Sequence, residues 1–129
     1  MIVVDASAVL EVLLGTASDR LSERMLAPQE TLHAPHLLDL EVAQVLRRYT
    51  LAGQVEARRA AEALEDLVAL PIVRYPHDLL LPRIWQLRHW LTPYDAAYVA
   101  LAEALEAPLV TRDRRRASSK AHRARIELA

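Results

Sequence analysis

The sequence predicts an α/β sandwich built around a mainly parallel sheet. Short apolar runs alternate with longer stretches of helical periodicity from end to end, the signature of strands joined through helices. No repeat and no low-complexity linker interrupts that alternation, so one domain is expected over residues 1–129, with a basic segment from about residue 112. Hydrophobic residues make up 53% of the chain, enough to fill a core of this size.

Each element has its own signal. Met1–Val4 is apolar and β-branched at three positions, which reads as a buried strand ending at Asp5. Ser7–Leu14 follows as a short helix closed by Gly15. Ser18–Ala27 is a second helix with Leu21, Met25 and Leu26 on its apolar side, broken by Pro28. Thr31–Ala34 is a strand bounded by Pro35. Leu37–Leu51 is a strong helix with Leu37, Leu38, Val42, Val45, Leu46 and Tyr49 as its apolar positions. Gly53 is expected to open a further helix through Leu70. Its inner side would carry Val55, Leu64, Leu67 and Val68, and its solvated face Glu62, Glu65 and Asp66. Ile72–Tyr75 is a third strand, and Leu79–Trp90 reads as helical with Pro82 in its first turn. Thr92 caps the next helix and Pro93 suits its first turn. Ala96–Leu105 is almost wholly apolar, so this helix should be buried on most sides before Pro108 stops it. Leu109–Thr111 and Arg125–Leu128 read as the closing strands.

Composition excludes several classes. With no cysteine, disulfides and thiolate metal sites are impossible. No apolar run approaches the length of a membrane span. The N-terminus lacks a basic leader and carries Asp5 and Glu11 early, which argues against a signal peptide and for a cytoplasmic protein. Two glycines leave no phosphate-cradling loop, so dinucleotide and P-loop enzymes are disfavoured. A receiver domain would need a lysine at a late strand end, and Ser7 excludes an Asp-x-Asp phosphatase. His33, His36, His77, His89 and His122 show no paired metal-ligand spacing. Trp85, Trp90, Tyr94 and Tyr98 are expected to pack within the helical layer. Net charge is −6 over residues 1–111 and +5 over 112–129. An acidic body with a basic tail suits a polyanion or an acidic neighbour, or is simply a solvated tail.

Four acids stand out. Ligands of parallel sheets gather beyond the carboxyl ends of the strands, where Asp5 and Asp113 both lie. Glu41 falls on the core-facing stripe of its helix, with Leu37 and Leu38 a turn before it and Val45 a turn after. A carboxylate there is costly unless paired, metal-bound or able to reach solvent at the stripe's edge. Asp95 lies three residues past Thr92, where it also serves its own helix dipole. A hairpin-like connection from its helix into the Leu109–Thr111 strand is expected to leave it at the opposite end from Asp5 and Asp113.

VVDASA, the Pro-x-Leu-Leu-x-x-Glu-Val stretch at 35–42, TPYDAAYVALAE and LVTRD occur in that order. Together they resemble a PIN-domain ribonuclease, above all the VapC toxins of toxin–antitoxin pairs, over nearly the whole chain. The resemblance implies a three-layer α/β/α sandwich in which Asp5, Glu41, Asp95 and Asp113 converge on one acidic pocket. It implies bound Mg²⁺ or Mn²⁺ and cleavage of RNA, a homodimer, and a small cognate antitoxin. The chemistry agrees: phosphodiester hydrolysis needs an activated water and charge neutralisation, and these acids supply hard oxygen donors. Asp5 and Asp95 are assigned as principal ligands, directly or through water. Glu41 and Asp113 complete the site, orient waters or hold a second ion. Ser7 and Thr111 are expected to support the acids with their hydroxyls. Many relatives carry another acidic or small polar residue just after the last motif Asp. Here Arg114, Arg115 and Arg116 follow, which argues against a full two-metal site. With Arg112 they are expected to hold RNA phosphates or to balance the acidic body. A non-catalytic RNA- or protein-binding module of the same fold, and a PIN nuclease of RNA processing, are the alternative readings.

Overall fold

The computed structural model describes residues 1–113 and 122–129. In chain order the elements are β1 (Ile2–Val4), α1 (Ala6–Leu13), α2 (Asp19–Leu26), β2 (Leu32–Pro35), α3 (Leu37–Leu51) and α4 (Ala57–Ala69). Then come β3 (Ile72–Tyr75), α5 (Leu81–Gln86), α6 (Pro93–Leu105), β4 (Leu109–Thr111) and β5 (Ile126–Leu128). The sheet order is β3-β2-β1-β4-β5, and every pairing is parallel. The chain winds outward from β1 through β2 to β3, then returns to place β4 on the other side of β1. The topological switch point therefore lies between β1 and β4.

Helices cover both faces, giving the three-layer α/β/α sandwich. α1 packs against α2, α3 and α4, while α6 packs with α5 and lies along β1, β2 and β4. Sheet strands covered on both sides have no reason to alternate, and β1, β2 and β4 are buried at every position. α6 is the core helix: Ala96 to Ala102 are all buried, alanines letting its backbone approach the sheet closely. Thr92 Oγ1 caps α6 by accepting from the Asp95 amide at 3.2 Å, and Ser18 Oγ caps α2 in the same way from Leu21. His36, which precedes α3, provides no side-chain cap. Instead His77 Nε2 accepts from the Leu37 amide at 2.9 Å, a cap borrowed from a distant loop. Among the described residues no helix is long and apolar enough to cross a membrane.

Four expectations fail here. Gly53 does not open a helix. It has φ +72° and its amide donates to Thr50, closing the turn that ends α3, and α4 starts only at Ala57. A left-handed glycine suits a helix exit rather than an entrance. α4 also turns a different face inward. Ala60, Ala63 and Leu67 are buried while Leu64 and Val68 face solvent, because small residues let α4 approach α3. α5 is shorter than the expected Leu79–Trp90 and ends at Gln86 in a run of turns. Trp85, Trp90 and Tyr94 are consequently exposed rather than packed in the helical layer; of the four aromatics named, Tyr98 alone is buried.

Ion pairs tie the outer elements down. Arg24 Nε donates to Glu127 Oε2 at 2.8 Å, and Arg24 also donates to Glu30, which pairs with the N-terminal amine. This joins α2 to both ends of the chain. The guanidinium of Arg24 holds the Glu127 carboxyl below its ordinary range, and the N-terminal amine does so for Glu30. Arg83 grips Glu103 through Nε and Nη2 at 2.7 and 3.0 Å, linking α5 to α6. Burial works to raise the Glu103 pKa, but Arg83 and the Arg123 amide outweigh it and lower the value.

Candidate active site

Asp5 follows β1 directly and is 1% exposed. Such a carboxylate must be fully engaged by polar partners. Its Oδ1 accepts from Ser7 Oγ at 2.6 Å and from the Ala8 amide at 3.1 Å, so Asp5 is also the N-cap of α1. Its Oδ2 accepts from the buried hydroxyl of Thr111, at the end of β4. The two hydroxyls then reach the chain beyond β4. Ser7 Oγ accepts from the Arg112 amide and Thr111 Oγ1 from the Asp113 amide, both at 2.9 Å. Asp5, Ser7, Thr111 and the backbone of Asp113 thus form one network across the switch point. Ser7 and Thr111 bind Asp5 through their side chains, whereas Asp113 enters the network through its amide.

Glu41 lies in the second turn of α3 and is half-buried. The fully buried Tyr98 donates its hydroxyl to Glu41 Oε1 at 2.6 Å, in the range of short charge-assisted bonds. Sequence alone points to packing for Tyr98, and it does pack. Its polar role had a legible signal: a tyrosine inside an alanine-rich core helix must place its hydroxyl on something.

Asp95 sits in the first turn of α6. The expectation that a short connection leaves it opposite Asp5 and Asp113 is wrong. α6 ends at Leu105 and β4 begins at Leu109, so the helix runs antiparallel to the strand it feeds. Its first residue must lie where the strand ends. The Tyr98–Glu41 bond agrees, since it joins the start of α6 to the start of α3, which follows the end of β2. Topology alone therefore brings Asp95 to the carboxyl edge of the sheet.

Chain order puts all four acids at that edge. Asp5 and the Asp113 amide share the network at the switch point, Glu41 is bonded to Tyr98, and Asp95 lies one turn before Tyr98. Among the described residues no three His, Asp or Glu side chains close into a ready-made metal cage. Magnesium does not require one, because it keeps several waters and leans on one or two carboxylates, and the donors here are all hard oxygens. Asp39, two residues before Glu41, belongs elsewhere: Arg74 clamps it through Nε at 2.8 Å and Nη2 at 3.0 Å. Arg112 donates from Nη1 to the Ala129 carbonyl at 2.7 Å, and its Nε lies 3.9 Å from Glu11. Arg114, Arg115 and Arg116 fall outside the described residues.

The PIN domain profile matches residues 2–122. Ribonuclease VapC1 of Mycobacterium tuberculosis is 46% identical over 118 residues, which cover 91% of this chain and 89% of the relative. Among solved structures, PAE2754 from Pyrobaculum aerophilum superposes with a TM-score of 0.70 at 28% identity, covering 97% of this chain and 81% of that one. A toxin–antitoxin complex from Klebsiella pneumoniae shares the fold, with a TM-score of 0.62 at 15% identity and coverage of 93% and 92%.

Proposed function

The chain belongs to the PIN domain family, and we infer that it is a VapC-type ribonuclease, the toxin of a type II toxin–antitoxin pair. The observation that carries the catalytic reading is Asp5, buried at the switch point and held by hydroxyls from both flanking segments. A buried acid so fixed is oriented before any ligand arrives.

Asp5 and Asp95 are the principal ligands for Mg²⁺ or Mn²⁺, with Glu41 and Asp113 completing the site or orienting water. When bound, the ion supplies charge neutralisation for the phosphodiester and acidity for a water. The chain's own residues do the rest. Ser7 and Thr111 fix the plane of the Asp5 carboxylate. Tyr98 holds one oxygen of Glu41, which restricts the other to a narrow arc from which it orients the attacking water. The substrate is RNA. A small antitoxin restrains the enzyme in the cytoplasm, and the toxin works as a homodimer. Exposed Leu40, Leu81, Trp85 and Trp90 give subunit contacts an apolar surface to use.

The test is an RNA cleavage assay on purified protein with Mg²⁺, with Mn²⁺ and with EDTA. Cleavage is expected with metal alone, and should fall by about 10² or more in Asp95→Asn, a loss of several kcal/mol of barrier lowering. RNA binding without cleavage under every metal condition would favour the non-catalytic module. Light scattering should give a dimer at micromolar concentration, and a monomer would remove that part of the reading.

A further inference from the structure

We propose that the groove between α1 and α3 is a nucleotide subsite, holding the RNA residue adjacent to the scissile phosphate. Arg48 binds its phosphate and Tyr49 packs against its base. The proposal rests on the ribonuclease reading above and adds a place for the strand beyond the reacting bond. The groove encloses about 300 Å³, at the small end of the range for ligand sites. It opens directly beside the acids, because Ser7 lines it while its Oγ is bonded to Asp5. α3 leads into it: Glu41, Val45 and Arg48 recur at helical spacing on one face, so the helix runs from the acidic edge into the groove.

The lining suits a nucleotide. Leu10 is buried and gives an apolar floor, and Tyr49 contributes a half-buried ring. Arg112 donates to the Ala129 backbone oxygen and lies 3.9 Å from Glu11, an acid of the same lining, so it balances that acid, while Arg48 stands exposed at the rim. Arg48 is the guanidinium placed to meet a phosphate oxygen. Four acids at the reaction centre repel a polyanion, so a strand continuing past them needs cations within its next step. Size argues against a helix as the occupant, since an α-helix with its side chains is about 10–12 Å across.

The experiment measures RNA affinity apart from cleavage. A fluorescein-labelled octanucleotide RNA of mixed sequence is titrated by anisotropy, in an Asp95→Asn background, at several salt concentrations. Arg48→Ala should weaken binding at least fivefold and reduce the slope of log K against log salt by about 0.7, one phosphate contact on a single strand. Tyr49→Ala should weaken binding at least fivefold through lost stacking, while Tyr49→Phe keeps the ring and should bind as the background does. Thermal unfolding confirms that each variant is folded, and the exposed Arg48 carries the test if Tyr49→Ala is not. Unchanged affinity and slope in folded Arg48→Ala overturn the proposal. Full RNA affinity in Arg48→Ala and Tyr49→Ala, with weakened binding of a purified antitoxin in the same background, assigns the groove to the protein partner and overturns it equally. Failure of the ribonuclease reading is distinct, because it appears as wild-type protein that cleaves no RNA with either metal.

Discussion

Removing one oxygen atom, by Tyr98→Phe, tests how Glu41 is held. Tyr98 is wholly buried, and its hydroxyl donates to Glu41 Oε1 at 2.6 Å. Phenylalanine fills the same space, so no cavity term enters. The loss is a hydrogen bond to a charged group, worth about 1.5–3 kcal/mol. At roughly 3–5 °C per kcal/mol for a domain of this length, the melting temperature should fall by about 5–15 °C. Because Glu41 loses its orientation rather than its charge, cleavage at saturating RNA and metal should slow by about tenfold, with KM nearly unchanged. A double-mutant cycle with Glu41→Ala isolates the pair. If the two residues act together, the coupling should reach at least about 1 kcal/mol in urea unfolding. Additivity within about 0.3–0.5 kcal/mol would refute the argument, because the bond would then contribute nothing specific. Lost stability with wild-type cleavage would leave the contact structural and remove Glu41 from the chemistry.

Asp95→Asn should raise the melting temperature in EDTA and shrink the increment given by millimolar Mg²⁺ or Mn²⁺. Two carboxylates about 5 Å apart repel by about 3 kcal/mol at an effective dielectric of roughly 20. A lower melting temperature in EDTA, with no metal increment in wild type, would make the acid structural. Asp5→Asn should abolish cleavage but melt below wild type in EDTA, since Asp5 is the N-cap of α1 and the acceptor of Ser7 and Thr111; the amide oxygen keeps the cap and the Ser7 bond, while the amide nitrogen meets the Thr111 hydroxyl with a donor and loses about 1 kcal/mol or more there. An unchanged or raised melting temperature there would show the network to be dispensable. His33 gives a pH dependence. It is buried, bonded to Tyr75 and Thr31, and burial, then the N-terminal charge, lowers its pKa. The unfolded chain therefore takes up a proton near pH 6.5 that the folded chain refuses. Stability should be full above that value and decline as pH falls from there through the folded pKa. Urea midpoints should show this slope in wild type and a flatter one in His33→Gln; equal slopes would exclude His33 as the cause.

The elements most legible in the sequence were those whose signals are local. Leu37–Leu51 and Ile72–Tyr75 need only periodicity and flanking prolines, and both stand at the expected bounds. Thr92 needs only the spacing of a cap, and it caps α6. What failed depended on partners. Gly53 looks the same at a helix entrance as at an exit, until the left-handed turn after α3 decides it. Leu64 and Val68 are more hydrophobic than Ala60 and Ala63, yet the close α3–α4 contact favours the small side chains. The acids Asp5, Glu41, Asp95 and Asp113 were legible as residues because hard oxygen donors at motif positions can be read along a line. The partner of Tyr98 could not be, since its bond to Glu41 spans 57 residues. The placement of Asp95 required no partner at all, only the polarity of a helix that feeds a strand.

That polarity has an electrostatic consequence. α1 and α3 begin just after β1 and β2 end, and α6 begins at the same edge because it runs back toward β4. Three helix N-termini therefore meet at the edge that carries the four acids. Each brings roughly half a positive charge, and the N-terminal amides are donors for carboxylates. Asp5 shows the arrangement directly, since the same Oδ1 that Ser7 orients also accepts from the first turn of α1. Asp5 is thus partly compensated by the backbone, and the other acids stand near helix ends of the same sign of partial charge. Helix ends supply only partial charges, so they offset carboxylate repulsion without neutralising a phosphodiester brought against it. On the ribonuclease reading proposed above, folding and RNA binding would make different demands on this edge: helix termini suffice for the first, and the second would call for a cation.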